Sequence, residues 1–166
     1  DLIGLGPVPV LFSSNSGTNH VSVLLNETTH PGLFRGHLTL SATNASNQLV
    51  VHNGDIITAV YFDASNNSNV VATATVDTVP PGITNVSAVT GYADATVSWT
   101  TSKPADALVQ YGESALLGRT AYSASLATNH AVAVSGLMAN RDYYYQVVSR
   151  DSAGNTTTDD NQGALY

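Results

Sequence analysis

Cysteine is absent from the 166 residues, which removes disulfide staples, thiolate metal sites and thiol nucleophiles together. Stability must therefore come from a packed core. Lysine occurs once, at Lys103, and five basic residues face twelve acidic ones, for a net charge of −7. A nucleic-acid partner needs a basic stripe to neutralise phosphates, and this composition excludes one. Charged residues reach only 10% against the ~25% usual in soluble domains, while hydrophobic residues reach 43%. Disorder requires the opposite balance. No apolar run approaches the ~20 residues of a membrane-spanning helix, so no membrane partner is expected. The start, Asp1-Leu2-Ile3-Gly4, has no initiator Met, basic region or apolar targeting stretch. The chain is expected to be a segment of a longer one. Low lysine and abundant Ser, Thr and Asn suit an extracellular or cell-surface setting.

Sustained helical periodicity is also missing, and period-two alternation takes its place, so the fold class is read as all-β. Val8, Val10 and Phe12 alternate, then Val21, Val23 and Leu25, then Phe34, Leu38 and Leu40 on either side of Gly36. Each set is expected to mark a buried strand face. Asn53-Gly54-Asp55 reads as a hairpin turn between Leu49-Val50-Val51 and a strand from Ile56 to Phe62. Val70, Ala72, Ala74 and Val76 complete a first block. The strongest punctuation is Asp77-Thr78-Val79-Pro80-Pro81-Gly82, because tandem prolines remove backbone donors and force extended geometry. Two domains follow: residues 1–77, a linker over 78–82, and residues 83–166. In the second, Ile83 to Val89, Ala95 to Trp99, Ala107 to Tyr111, Val132-Val134 and Tyr143 to Val147 predict about seven short strands, the pattern of a sandwich.

The second block resembles a fibronectin type III domain, whose close variants include the sandwich ahead of the catalytic domain in purple acid phosphatases. Pro80-Pro81, Val97-Ser98-Trp99-Thr100, Pro104-Ala105-Asp106 with Val109-Gln110-Tyr111-Gly112, His130 to Leu137, Tyr143-Tyr144-Tyr145 and Ser149 to Asn155 carry the resemblance. It implies a core of Trp99, Tyr111, Leu137, Tyr143 and Tyr145, with a tyrosine corner in which Tyr143 returns its hydroxyl to nearby main chain. The first block is similar to bacterial immunoglobulin-like modules of secreted multidomain proteins, including subtilisin-like peptidases, through Asn26-Glu27-Thr28, Pro31 to Gly36, Gly54 to Ala59 and Ala72 to Asp77. Together they imply two consecutive immunoglobulin-like and fibronectin type III-like β-sandwiches.

No catalytic motif stands out. The five histidines, His20, His30, His37, His52 and His130, lack paired-ligand spacing on any expected helix, although His37 and His52 could meet across neighbouring strands. No Gly-x-Ser-x-Gly elbow occurs. Asp55, Asp63, Asp77, Asp94, Asp106 and Asp151 sit beside turn formers, where carboxylates cap turns. Gly54-Asp55 and Gly154-Asn155 match fragments of metallophosphatase motifs without the histidines that complete them. The expectation is no catalytic residue, no metal and no cofactor. Calcium is the one ion with a physical argument, through Asp63, Asn66, Asn67, Asn69 and Asp77. Asn26, Asn44 and Asn85 stand in glycosylation sequons, which Asn-rich turns also generate by chance. Tyr92, Tyr122 and Tyr144, with Tyr166, form a candidate ligand platform for sugar faces. Ile56, Val60 and Phe62 make the second face of their strand apolar as well, a candidate interface packed against either the second domain beside the linker or a neighbouring domain outside the fragment. The function expected is a non-catalytic accessory spacer that positions other domains of a secreted or surface protein. The alternative is a module binding polysaccharide or another surface polymer.

Overall fold

The computed structural model describes residues 6–166; residues 1–5, and the expectation attached to Asp1 to Gly4, lie outside the described residues. Those residues form twelve strands and no helix: β1 (Val8–Ser14), β2 (His20–Glu27), β3 (Phe34–Arg35), β4 (Thr39–Ser41), β5 (Gln48–Val50), β6 (Ile56–Asp63), β7 (Ser68–Thr75), β8 (Ile83–Thr90), β9 (Asp94–Gly112), β10 (Arg119–Ser135), β11 (Tyr144–Arg150) and β12 (Thr156–Asp159). The chain divides into two compact units between Thr78 and Val79. Gly82 exchanges two hydrogen bonds with Ser102, donating its N–H to Oγ at 2.8 Å and accepting from the Ser102 N–H at 2.9 Å. The segment 78–82 is therefore not free throughout, because its last residue is fastened to the second unit.

In the first unit, β1 is the spine of an antiparallel sheet ordered β3-β2-β1-β6-β7. Its alternation works as the pleat requires: Val8, Val10 and Ser14 are buried and Phe12 is half-buried. The core gathers Leu49, Val51 and Val76, with Phe12, Val21, Leu38 and Ile57 packed against them. β4 and β5 form a separate parallel pair, Thr39 opposite Gln48 and Ser41 opposite Val50. Asn19 stands in for a strand neighbour beside β5, its side chain donating to the Gln48 carbonyl at 2.6 Å and accepting from the Val50 N–H at 3.1 Å.

Two expectations for this unit need correction. The Asn53-Gly54 turn forms, with Gly54 at φ 84°, but β5 pairs with β4 while β6 pairs with β1 and β7. The turn hands the chain from one sheet to another instead of closing a hairpin, since turn chemistry sets the reversal and not the choice of partner. Leu40, Val70, Ala72 and Ala74 are exposed, and β7 is exposed along all eight residues. Alternation records the pleat, whereas burial needs an opposing layer as well. On the second face of β6, Ile56 and Phe62 are also exposed, and Val60 is half-buried, with Leu11 and Val71 opposite it on the flanking strands. Val60 thus makes lateral apolar contacts across the sheet.

The second unit is built on two long strands, β9 of 19 residues and β10 of 17. The short strands Ala95–Trp99 and Ala107–Tyr111 expected from the sequence are two parts of continuous β9. Residues 95–101 pair with β8, and residues 94–100 with 129–135 of β10; residues 107–111 pair with 119–123 of β10, and 108–112 with β11, which carries β12 on its other side. The β9–β10 register shifts between Ser123 and Asn129. Pro104, which has no N–H to offer, lies in the stretch of β9 without a β10 partner. The sheet curls over at this place, and Val97, Trp99, Val132 and Val134 from one half meet Ala107, Val109, Tyr111 and Val147 from the other in one core. Every second residue of β9 from Val97 to Thr101 and again from Ala105 to Tyr111 is buried. Across the core, Trp99 Nε1 donates to Ser149 Oγ at 2.9 Å, with both residues buried.

Trp99 and Tyr111 are enclosed as expected. Leu137, Tyr143 and Tyr145 are half-buried and pack against the core from outside, because they line a cavity that opens to solvent. Tyr143 Oη accepts the Met138 N–H at 3.1 Å and lies 3.4 Å from Glu113 Oε1, to which it donates.

Two substitutions test these contacts. Ser149→Ala strands the indole N–H in the core and should lower the unfolding free energy by about 1–3 kcal/mol in urea titrations. Tyr143→Phe keeps the ring and deprives the exposed Met138 N–H of its acceptor, for a smaller loss of about 1 kcal/mol by the same measurement. An unchanged urea midpoint for either variant contradicts the role given to that bond.

Candidate functional site

The densest polar cluster of the first unit joins Ser14 and Ser16, at and just past the end of β1, to His52 and Asp55 of the turn before β6. Asp55 Oδ2 accepts from Ser14 Oγ at 2.9 Å, from the His52 N–H at 2.7 Å and from Ser16 Oγ in a short hydrogen bond. Ser16 Oγ also lies 3.1 Å from His52 Nδ1. These are the residue types of a hydrolase triad, and sequence reading missed their meeting. Only the His52–Asp55 spacing is local; Ser16 arrives from more than thirty residues away.

The wiring differs from that of a nucleophile. A triad needs the histidine to take the serine proton while the carboxylate anchors the other ring nitrogen. Here the carboxylate takes the serine proton directly and faces the same nitrogen, His52 Nδ1, at 3.7 Å. The hydrogen bond from Ser16, followed by that from the His52 N–H, holds the Asp55 carboxyl below its ordinary value. An open groove of about 320 Å³ nearby is lined by Leu40, Val51, His52 and Thr78 among others, without Ser16. The cluster can fasten the turn to the end of β1.

Three further carboxylates are similarly occupied. Asp63 accepts from the Ser65 N–H and Oγ and from Asn66 Nδ2, and these bonds, Ser65 first, depress its pKa. The loop proposed for calcium thus closes on itself. Asp106 takes the Arg150 N–H at 2.8 Å and the Tyr122 hydroxyl at 3.1 Å. Asp151 carries the strongest perturbation: Lys103 Nζ lies 2.8 Å from Oδ2, and the side chain is only 2% exposed. Asn155 Nδ2 adds a bond to the same oxygen, and the N–H groups of Ala153 and Asn155 donate to Oδ1. The Lys103 ammonium, outweighing burial, holds this carboxyl far below 3.8.

The histidines do not converge. His20, His30, His37 and His52 are exposed. His37 lies before β4 and His52 after β5; because that pair is parallel, they fall at opposite ends of it and do not meet across it. His130 is buried, stacked on Trp99 with ring centroids 5.1 Å apart, and bonded through Nε2 to Thr101 Oγ1 at 2.9 Å. Burial lowers its pKa, so it packs as a neutral ring. Among the described residues no group of three or more His, Asp or Glu side chains is placed to hold a metal, and no helix is long and apolar enough to cross a membrane.

The expected tyrosine platform separates. Tyr122 of β10 lies opposite Leu108 and Tyr144 of β11 opposite Gly112, so both occupy the outward face but four residues apart along β9. Tyr92 stands in the β8–β9 turn, 89% exposed. Tyr166 belongs elsewhere, stacked on Tyr145 at 5.1 Å and bonded to Asp159 Oδ1 at 3.1 Å. No protein-family model matches the chain, and no curated protein matches it.

The Asp151 ion pair predicts a pH response. A carboxyl depressed in the folded state stabilises the fold above its unfolded value, near 3.8, and that contribution fades as pH falls further. Chemical denaturation at stepped pH should show stability falling below about pH 4. Asp151→Asn should be less stable at neutral pH and flatter across the acid range. An acid profile identical to that of the parent contradicts the coupling.

Proposed function

We propose that the chain is a non-catalytic tandem of an immunoglobulin-like module and a fibronectin type III-like module, acting as an accessory spacer that positions other domains of a secreted or surface multidomain protein. The observation that carries this reading is the pairing in the second unit. Five strands supply seven pairing segments: β8, the two halves of β9, the two halves of β10, β11 and β12. Seven antiparallel segments around one core, with the Tyr143 hydroxyl tied back to main chain, fit a fibronectin type III sandwich. The first unit supports its assignment less specifically, through its all-β make-up. The non-catalytic part of the proposal rests on the Ser16–His52–Asp55 wiring and on carboxylates consumed by turns.

A spacer holds distance, and a proline-bearing junction limits hinge freedom. The cysteine-free chain makes this directly measurable. Spin labels on Asn66→Cys and Ser152→Cys, both exposed turn positions, should give a narrow distance distribution by pulsed electron resonance, broadened when Pro80-Pro81 becomes Gly-Gly. A broad distribution in the parent overturns the spacer role. Turnover of peptide, phosphate-ester or glycoside substrates, abolished by Ser16→Ala, overturns the non-catalytic assignment.

A second reading, binding of polysaccharide or another surface polymer, is favoured by one feature. Tyr122 and Tyr144 share an outward sheet face with the hydrogen-bonded pair Gln110–Gln146 between them, separated by about 13 Å of strand rise, a span for successive sugars of one polymer. Retardation of the chain in polysaccharide gels, lost in Tyr122→Ala, is the expected result on that reading.

A further inference from the structure

β7 ends the sheet of the first unit, pairing with β6 and with no strand beyond it. Its eight residues match Ile56 to Asp63 one for one without a bulge, carry no charge and no proline, and are all exposed. Outer strands usually carry some feature that blocks pairing with a further chain: a charge, a proline, a bulge or extreme shortness. The others here do. β3, at the opposite edge of the same sheet, is two residues long and ends in exposed Arg35; β4 and β5 have three residues each; β12 has four and ends in Asp159; β8 and β10 shift register against β9. Among the described residues, β7 alone of the outer strands carries none of these features.

The phase of the ladder decides which backbone groups β7 offers. Asn15 donates its N–H to the Ile56 carbonyl at 3.2 Å, and its Oδ1 accepts the Ile56 N–H at 2.8 Å, so the Ile56 main chain faces the β1 side. Successive residues of an antiparallel strand turn these groups to opposite sides. Ile57, Ala59 and Tyr61 therefore bond β7, through Ala74, Ala72 and Val70 opposite them. Val76 keeps the same phase, donating inward to the Asp55 carbonyl at 2.8 Å. The N–H and C=O groups of Asn69, Val71, Thr73 and Thr75 point away from the sheet. A second copy of the strand, laid antiparallel with Val71 on a two-fold axis, satisfies them: Val71 meets Val71, and Asn69 of each copy meets Thr73 of the other, for about six hydrogen bonds. On the outward face Leu11, Val60 and Val71 already stand in one row across three strands. The axis doubles that row. Although the chain carries −7 overall, no residue pair across this axis sets like charges together, and an uncharged edge holds nothing to select an acidic or basic peptide instead.

We propose that β7 is a self-association edge, through which two copies of the chain pair antiparallel over residues 68–74 about a two-fold axis at Val71 and join their five-stranded sheets into one. One strand pair and one apolar row make a small interface, so the dimer is weak and reversible. The inference is independent of the spacer role and of the outward tyrosine face.

The test is sedimentation equilibrium of the whole chain from about 5 μM to about 1 mM, a range that spans weak association. A reversible monomer–dimer equilibrium is expected. Thr73→Pro removes an outward N–H that the β6 ladder does not use and should abolish the dimer without changing the urea midpoint. Val71→Lys sets two ammonium groups against each other on the axis and should weaken the dimer at least about ten-fold. The register has its own readout in this cysteine-free chain: mild oxidation should cross-link Val71→Cys at least about ten times faster than Ser152→Cys, since paired Cα atoms about 5.5 Å apart suit a disulfide. A monomer at every concentration, growth beyond the dimer, a dimer that survives both substitutions, or equal cross-linking of the two cysteines each overturns the proposal. Should Thr73→Pro fail to fold, Val71→Lys decides, at a side chain 56% exposed.

Discussion

The second unit depends on closing a single curled sheet onto itself, and the Trp99–Ser149 hydrogen bond marks where the closure is made. Trp99 belongs to the half of β9 that pairs with β8, Ser149 to a strand of the other half. A buried indole N–H without an acceptor would cost more than the bond contributes when made, so the contact discriminates against arrangements in which the halves slide past one another. The surrounding valines supply most of the burial energy but accept many offsets. The polar pair accepts few. His130, stacked on the same indole and bonded to Thr101, extends this restriction to β10.

The same logic runs through the polar groups elsewhere. Serine, histidine and aspartate meet in the first unit, and lysine and aspartate in the second, in combinations that other proteins use for chemistry. Their geometry here satisfies backbone donors and ties turns to strands. Asp151 organises four donors from Lys103, Ala153 and Asn155, and Asp55 organises three from Ser14, Ser16 and His52. In a chain without cysteine, such carboxylate-centred turns take over part of the fastening that disulfides provide in small secreted domains.

What could be read from the residues was local. Alternation located β1, β2, β6, β8 and the inward faces of β9, because a pleated strand against a core imposes period two directly. The Asn53-Gly54 turn and the change of unit near Pro80-Pro81 were visible for similar reasons. Partner choice was not. The parallel β4–β5 pair, the exposure of β7 and the meeting of Ser16 with His52 depend on which edges come together, and no window of sequence carries that information. The continuity of β9 was hidden differently: Ser102-Lys103-Pro104 reads as a break, yet extended backbone passes through it because the pairing partner, not the strand, changes there. The cavity beside Tyr143 and Tyr145 was invisible because those residues were already explained as core.

The β9–β10 hairpin has a kinetic meaning. Its turn, Glu113 to Gly118, is six residues long, and pairing that starts beside it at Tyr111–Arg119 runs outward through both halves of the curled sheet. Loop-closure entropy grows slowly with length but must be met before distant contacts reward it. One short closure here aligns the inward residues of both layers, leaving β8 and β11 to add to an existing template. Sandwiches are usually slow to fold because their layers are assembled from strands far apart in the chain. In this unit the longest ladder joins neighbours in sequence, so much of its topology can be established before either terminal strand arrives.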